Sequence, residues 1–154
     1  MVGAMRMFTI LLAALLLLSA SPLLCAQPAT PTAKGERDAL ALAVQSQGVL
    51  NEYAIGAMEP QAMKYAQRLR LTQAALDGQR KQWPAVANGP DPWDKFRPCK
   101  NALEKASYVA GLSGMKAVSK LDDQVFHVEK SKLQQLRTEC DAIIKREKPG
   151  SADR

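Results

Sequence analysis

Three cysteines and one histidine are the residues of this chain with the widest chemical reach, and their spacing narrows what they could do. A nucleophilic triad needs histidine within reach of Ser or Cys, but His127 stands between Phe126 and Val128 and nothing in the sequence names its partner. It reads as a structural histidine. Cys99 and Cys140 are too far apart for a C-x-x-C redox pair, and with one histidine they fall short of the four ligands of a structural zinc site. Attachment of c-type haem requires C-x-x-C-H, which is absent from the sequence. A di-iron centre takes Glu-x-x-His from each of two helices, and a single histidine cannot build two. Met58, Met63 or Met115 could oppose His127 across a haem, yet methionines at helical spacing are more often core filler. The acid pairs Asp91/Asp94 and Asp122/Asp123 fall where turns and helix caps account for them, rather than as the facing carboxylates of a glycosidase. The expectation is therefore a non-enzyme with no cofactor and no bound metal.

The N-terminus decides how the cysteines pair. Arg6 lies in a short charged start, and Met7 to Leu18 is an apolar run with four consecutive leucines, Leu15 to Leu18. A membrane span needs ~20 apolar residues, and Ser19, Ser21 and Pro22 break this one too early. The pattern is that of a cleavable secretory signal over residues 1–26, cut after Ala26 with Ala20 as the alternative. Cys25 raises the lipoprotein alternative, but Leu24 stands where a small residue is required. The reading is a periplasmic or secreted protein with no transmembrane anchor, in which Cys25 leaves with the signal. Cys99 and Cys140 then remain as an even pair in an oxidising compartment, expected as a structural disulfide.

The remaining chain suits one domain. The formal net charge of +6 is spread along it. Lys64, Arg68, Arg70, Lys105, Lys116 and Lys132 are mixed with acids, and no aromatics are interleaved to stack on bases, so no nucleic acid is expected as partner.

Residues 27–34, with Pro28, Pro31, Thr30 and Thr32, read as a flexible leader, and the domain is expected over 35–148. Leu40, Ala43, Val44, Gln47, Leu50 and Ala54 repeat at helical spacing behind Glu36 and Asp38, which predicts a first helix to Ala57. Gly48 and Gly56 suggest that it is packed closely between neighbours. Pro60 suits a first helical position, and a second helix is expected from there to about Trp83. Its inner ladder is Met63, Ala66, Leu69, Gln73, Leu76 and Trp83, with Gln79 and Arg80 among the residues of the outer side.

Pro84 to Lys95 is a loop holding Asn88-Gly89, Pro90 and Pro92. A third helix should begin between Asp94, a possible cap, and Pro98, and carry Cys99, Ala102, Leu103, Ala106, Ala110, Ser113, Ala117 and Leu121 on a face of small residues. A fourth, capped by Asp122 or Asp123, turns Phe126, Leu133, Leu136, Cys140, Ile143 and Ile144 inward; a disordered tail over 149–154 follows Pro149-Gly150. The fold class is all-α: an antiparallel four-helix bundle stapled by one disulfide. In a hairpin of the last two helices, Cys99 and Cys140 lie at comparable distances from the turn and could bridge.

The segment Trp83 to Arg97 stands out because it holds both tryptophans of the chain beside charged residues. Two readings are open. Trp83, Trp93 and Phe96 fold back to seal the bundle near Cys99, or Asp91, Trp93, Asp94, Phe96 and Arg97 form a partner-binding loop, since Trp and Arg dominate protein interfaces. The functional expectation is an exported helical protein that binds another envelope or secreted protein, in the class of an inhibitor or an immunity factor for a periplasm-acting toxin. The rivals are a small-ligand or cofactor carrier, using room beside the small face of the third helix, and an envelope chaperone or adaptor.

Overall fold

In the computed structural model, residues 33–85, 91–118 and 121–148 are described. Among them the chain forms α1 (Ala33–Ala57), α2 (Pro60–Met63), α3 (Ala66–Arg80), a 3-10 turn (Asp94–Phe96), α4 (Arg97–Ala117) and α5 (Asp123–Glu147). The proposed signal over 1–26, most of the leader and the tail from 149 lie outside the described residues, as do 86–90 of the loop. The helix expected from Glu36 already begins at Ala33.

Side-chain pairs fix the direction of each long helix. Gln73 Nε2 donates to the Ser107 carbonyl and Arg80 pairs with Glu104, so α3 and α4 run antiparallel. Gln47 Nε2 donates to Asp141 at 2.7 Å and Arg137 donates to Asn51, so α1 and α5 do likewise. Cys99 at the start of α4 joins Cys140 late in α5, with Cα atoms 4.7 Å apart and both residues fully buried. With a sequence separation of 41, that bond restricts the unfolded chain by about 4 kcal/mol in the chain-entropy model. Helices α1 and α4 meet across the centre, whereas α3 and α5 do not touch.

The inward faces of α4 and α5 follow the helical spacing read from sequence. Cys99, Ala102, Leu103, Ala106, Ala110 and Ser113 are buried on α4, and Phe126, Leu133, Cys140 and Ile144 on α5. Asp122 caps α5 by accepting the Gln124 backbone N–H at 2.6 Å. Asp94 does not cap α4; its carboxylate pairs with Arg97, and Phe96 occupies the cap position without a side-chain bond. Helix α4 ends at Ala117, short of Leu121.

The single helix expected over Pro60–Trp83 is instead two. Lys64 ends α2, and Tyr65 is extended at φ −84° and ψ 113° before α3 begins. The cause lies in helical phase. Thirteen residues at 100° each would set Met63 and Leu76 about 220° apart on one continuous helix, facing nearly opposite ways. The break lets both turn inward, Met63 against Ala57 and Ala110 and Leu76 into the main core. Past Arg80 the chain leaves the helix in turns, and Gln79, assigned to the outer side from sequence, is buried.

The role expected of Gly48 and Gly56 is also overturned. A Cβ built at either would meet nothing within 4 Å, and Gly48 is exposed. Close approach occurs on α4, where a Cβ at Gly114 would lie 3.1 Å from Leu69 Cδ2 and 3.4 Å from the Met63 carbonyl oxygen. Ser113 Oγ donates to the Ala57 carbonyl in the same region. The small face of α4, expected to leave room for a ligand, is closed there by α2 and α3.

Candidate functional site

The site is built from α1 outward. Ser46 falls on the same face as Ala39, Ala43, Leu50 and Ala54 and is fully buried. Its hydroxyl donates to the Leu42 carbonyl at 2.9 Å and accepts from Gln79 Nε2 at 3.3 Å and Trp83 Nε1 at 3.1 Å. One donor and two lone pairs are thereby all used, which is how a polar group stays in a core without penalty. This hub fixes the Trp83 indole, 6 % exposed, where the chain leaves α3. The second tryptophan leans on it: the Trp83 and Trp93 rings meet edge to face with centroids 6.1 Å apart and planes at 74°, a favoured aromatic geometry.

Local turns hold Trp93 in place. Asp91 Oδ1 accepts the Trp93 backbone N–H at 2.9 Å and the Asp91 carbonyl accepts that of Asp94 at 3.1 Å, so a short acidic side chain closes the turn. The Trp93 carbonyl accepts from Phe96 as the 3-10 turn begins. Phe96 is fully buried and packs in the core with Cys99, and Lys95 ties the turn to the end of α5 through Glu147 at 2.7 Å.

Trp83, Pro84, Asp91, Trp93 and Asp94 form one side of a cleft of about 280 Å³, and Arg97, Lys100, Asn101 and Glu104 complete it from the first two turns of α4. Of the loop residues singled out in the sequence, Asp91, Trp93, Asp94 and Arg97 meet in this cleft. Phe96 does not; its ring serves the core. Trp93 is half-buried, while Asp94 and Arg97 are exposed and paired with each other. Glu104 pairs with Arg80 across the α3–α4 contact. Trp83 and Phe96 lie in the core as the sealing reading has it, and Trp93 packs against that core while also lining the cleft with its charged neighbours.

Lys100, Asn101, Glu104 and Ser46 were not singled out from sequence. The first three stand at i+3, i+4 and i+7 from Arg97 on a predicted helix, so the spacing did carry that signal. Ser46 was overlooked because a serine in an apolar ladder resembles an interruption.

Elsewhere the chemistry is sparse. His127 is exposed, its ring 6.1 Å from that of Phe126, while Met58 and Met63 are buried in the core clusters. Among the described residues no group of three or more His, Cys, Asp or Glu could hold a metal ion, and no helix is long and apolar enough to cross a membrane. A larger groove of about 680 Å³ between α1, α2 and α3 includes Tyr53, whose phenol is held above its ordinary range, chiefly by a hydrogen bond with Glu52 and by the charge of that carboxylate. Between α4 and α5, Glu129 accepts from Lys105 and Lys132, and these bonds hold its carboxyl below its usual value. It is a tie between helices rather than a site. Comparison with protein-family models, with the curated proteins and with the solved structures finds no match.

Proposed function

We propose that this chain is an exported, non-enzymatic helical protein that binds another protein in the cell envelope, in the class of an inhibitor or an immunity factor for a periplasm-acting toxin. The observation that carries the reading is the half-buried Trp93, set on a fixed neighbour at the edge of a cleft with charged walls. Interfaces concentrate their energy in Trp and Arg that sit in pockets ringed by polar groups, and a side chain already immobilised loses little entropy on binding. The buried Ser46 hub below Trp83 and the disulfide beside Phe96 supply that rigidity.

Export rests on the sequence: a charged start, a leucine-rich run broken before it could span, and two cysteines left over to pair. The non-enzymatic reading likewise rests on one histidine without a sequence partner and acid pairs that turns and caps account for. The small size of the cleft fits one or two anchoring side chains of a partner better than a cofactor.

The test is affinity capture from an envelope extract of the source cells with the oxidised, C-terminally tagged protein as bait. A partner retained by the parent protein should be lost from a Trp93→Ala plus Arg97→Ala variant that keeps the parental circular dichroism. Retention by that variant, or no specific partner at all, rejects the reading.

A further inference from the structure

The charges of the Trp93 cleft are unevenly matched. Arg97 is taken by Asp94 and Glu104 by Arg80, so those groups enter the cleft largely neutralised. Lys100 is half-buried in the cleft wall and forms no ion pair or hydrogen bond with the described residues. Opposite in sign, Asp91 spends Oδ1 on the Trp93 backbone N–H, which leaves its other oxygen to accept. An ammonium at a cleft wall with no counter-charge of its own is best answered by a carboxylate.

We propose that the cleft reads an acidic residue next to an apolar one on an extended segment of the partner protein. The apolar side chain covers the open face of Trp93, the neighbouring carboxylate meets the Lys100 ammonium, and a backbone N–H of the segment donates to Asp91. An extended peptide offers all three groups in one short stretch. A simple anion has no apolar body for the indole, and an uncharged saccharide leaves Lys100 without a counter-charge. The assignment deepens the protein-binding reading and rests on it.

The experiment uses the full oxidised protein and a matched pair of capped peptides, acetyl-Leu-Glu-Leu-amide and acetyl-Leu-Gln-Leu-amide, with chitobiose as the saccharide probe. The two tryptophans of the chain both line the cleft, so their indole N–H resonances in a proton–nitrogen NMR spectrum report its occupancy. The Glu peptide should shift the Trp93 signal and bind about three- to fivefold more tightly than the Gln peptide, the range of a partly screened ion pair. Added salt and Lys100→Met should each remove that preference while leaving weak binding of both peptides. Equal affinity of the two peptides, a preference that survives Lys100→Met, an absence of shifts with either peptide, or shifts with chitobiose alone overturns the assignment. The capture experiment separates this result from the broader one: a partner lost with Trp93→Ala plus Arg97→Ala but held at parental strength by Lys100→Met leaves protein binding standing and refutes the acidic determinant.

Discussion

Replacing Ser46 with alanine removes one oxygen that answers three groups, and the cost can be worked from where each is left. The Leu42 carbonyl keeps its place in the α1 hydrogen-bond ladder and loses little. Trp83 Nε1 and Gln79 Nε2 lose the acceptor given above, and both residues are less than a tenth exposed. A buried donor left unanswered costs ~1–3 kcal/mol. The Gln79 bond is long at 3.3 Å and its flexible amide has the better chance of reaching water, which puts it at the low end. The sum is about 2–4 kcal/mol, a large part of the stability of an ordinary domain. Urea unfolding of the oxidised protein, followed by far-ultraviolet circular dichroism, measures it. The hub makes a sharper demand when Trp83→Phe is the background: with one donor already gone, Ser46→Ala should cost at least ~1 kcal/mol less than in the parent. A single-variant loss under ~0.5 kcal/mol, or costs that simply add, would refute the reasoning.

The glycines give a pair of contrasting outcomes. Gly48→Ala should raise stability by about 0.5–1 kcal/mol, since the position is helical, exposed and open to a Cβ. Gly114→Ala makes the same helix gain but sets its methyl 3.1 Å from Leu69 Cδ2, so its gain should be at least about 0.5 kcal/mol smaller or reversed; urea midpoints decide both. For Glu129, bonds from Lys105 and then Lys132 hold the folded-state pKa below the unfolded value of 4.5. Its stabilising contribution is therefore complete above about pH 4.5 and fades as the pH falls through the lowered folded value. Glu129→Gln should show a smaller drop in urea midpoint between pH 7 and pH 3 than the parent protein.

The helices that obey a simple period were legible from sequence, and the reasons are local. Cys99 to Ser113 and Phe126 to Ile144 each keep an inward stripe, so spacing named most of their core and placed the two cysteines at one end, while it missed Val109 and Leu112, and left Leu136 and Ile143 only partly buried. The stretch from Pro60 to Trp83 was misread because no proline or glycine marks Tyr65. The break turns both Met63 and Leu76 inward, and which side is inward there is tertiary information. Gly48 and Gly56 misled for a related reason: a glycine in a helix signals close packing only when its face is inward, and a Cβ at neither position would meet a neighbouring element. In the cleft, the loop half stood out as unusual composition. The helix half, Lys100, Asn101 and Glu104, looked like any solvated surface until α4 was set beside Trp93.

The disulfide sits at one end of the bundle, and the other end is built differently. Ile55, Tyr65, Leu71, Met115, Val118, Val125 and Val128, all large apolar side chains near half exposure or more, belong to the late part of α1, the α2–α3 junction, the first half of α3, the end of α4 and the start of α5. Helices fray from termini that no cross-link holds, so opening should progress from that end toward the cysteines, and amide protons of α2 and early α3 should exchange with solvent first. Each partial opening there adds to apolar surface that is already wet. The same end is thus where a still reduced chain would be most prone to self-association, before the disulfide has clamped the far side.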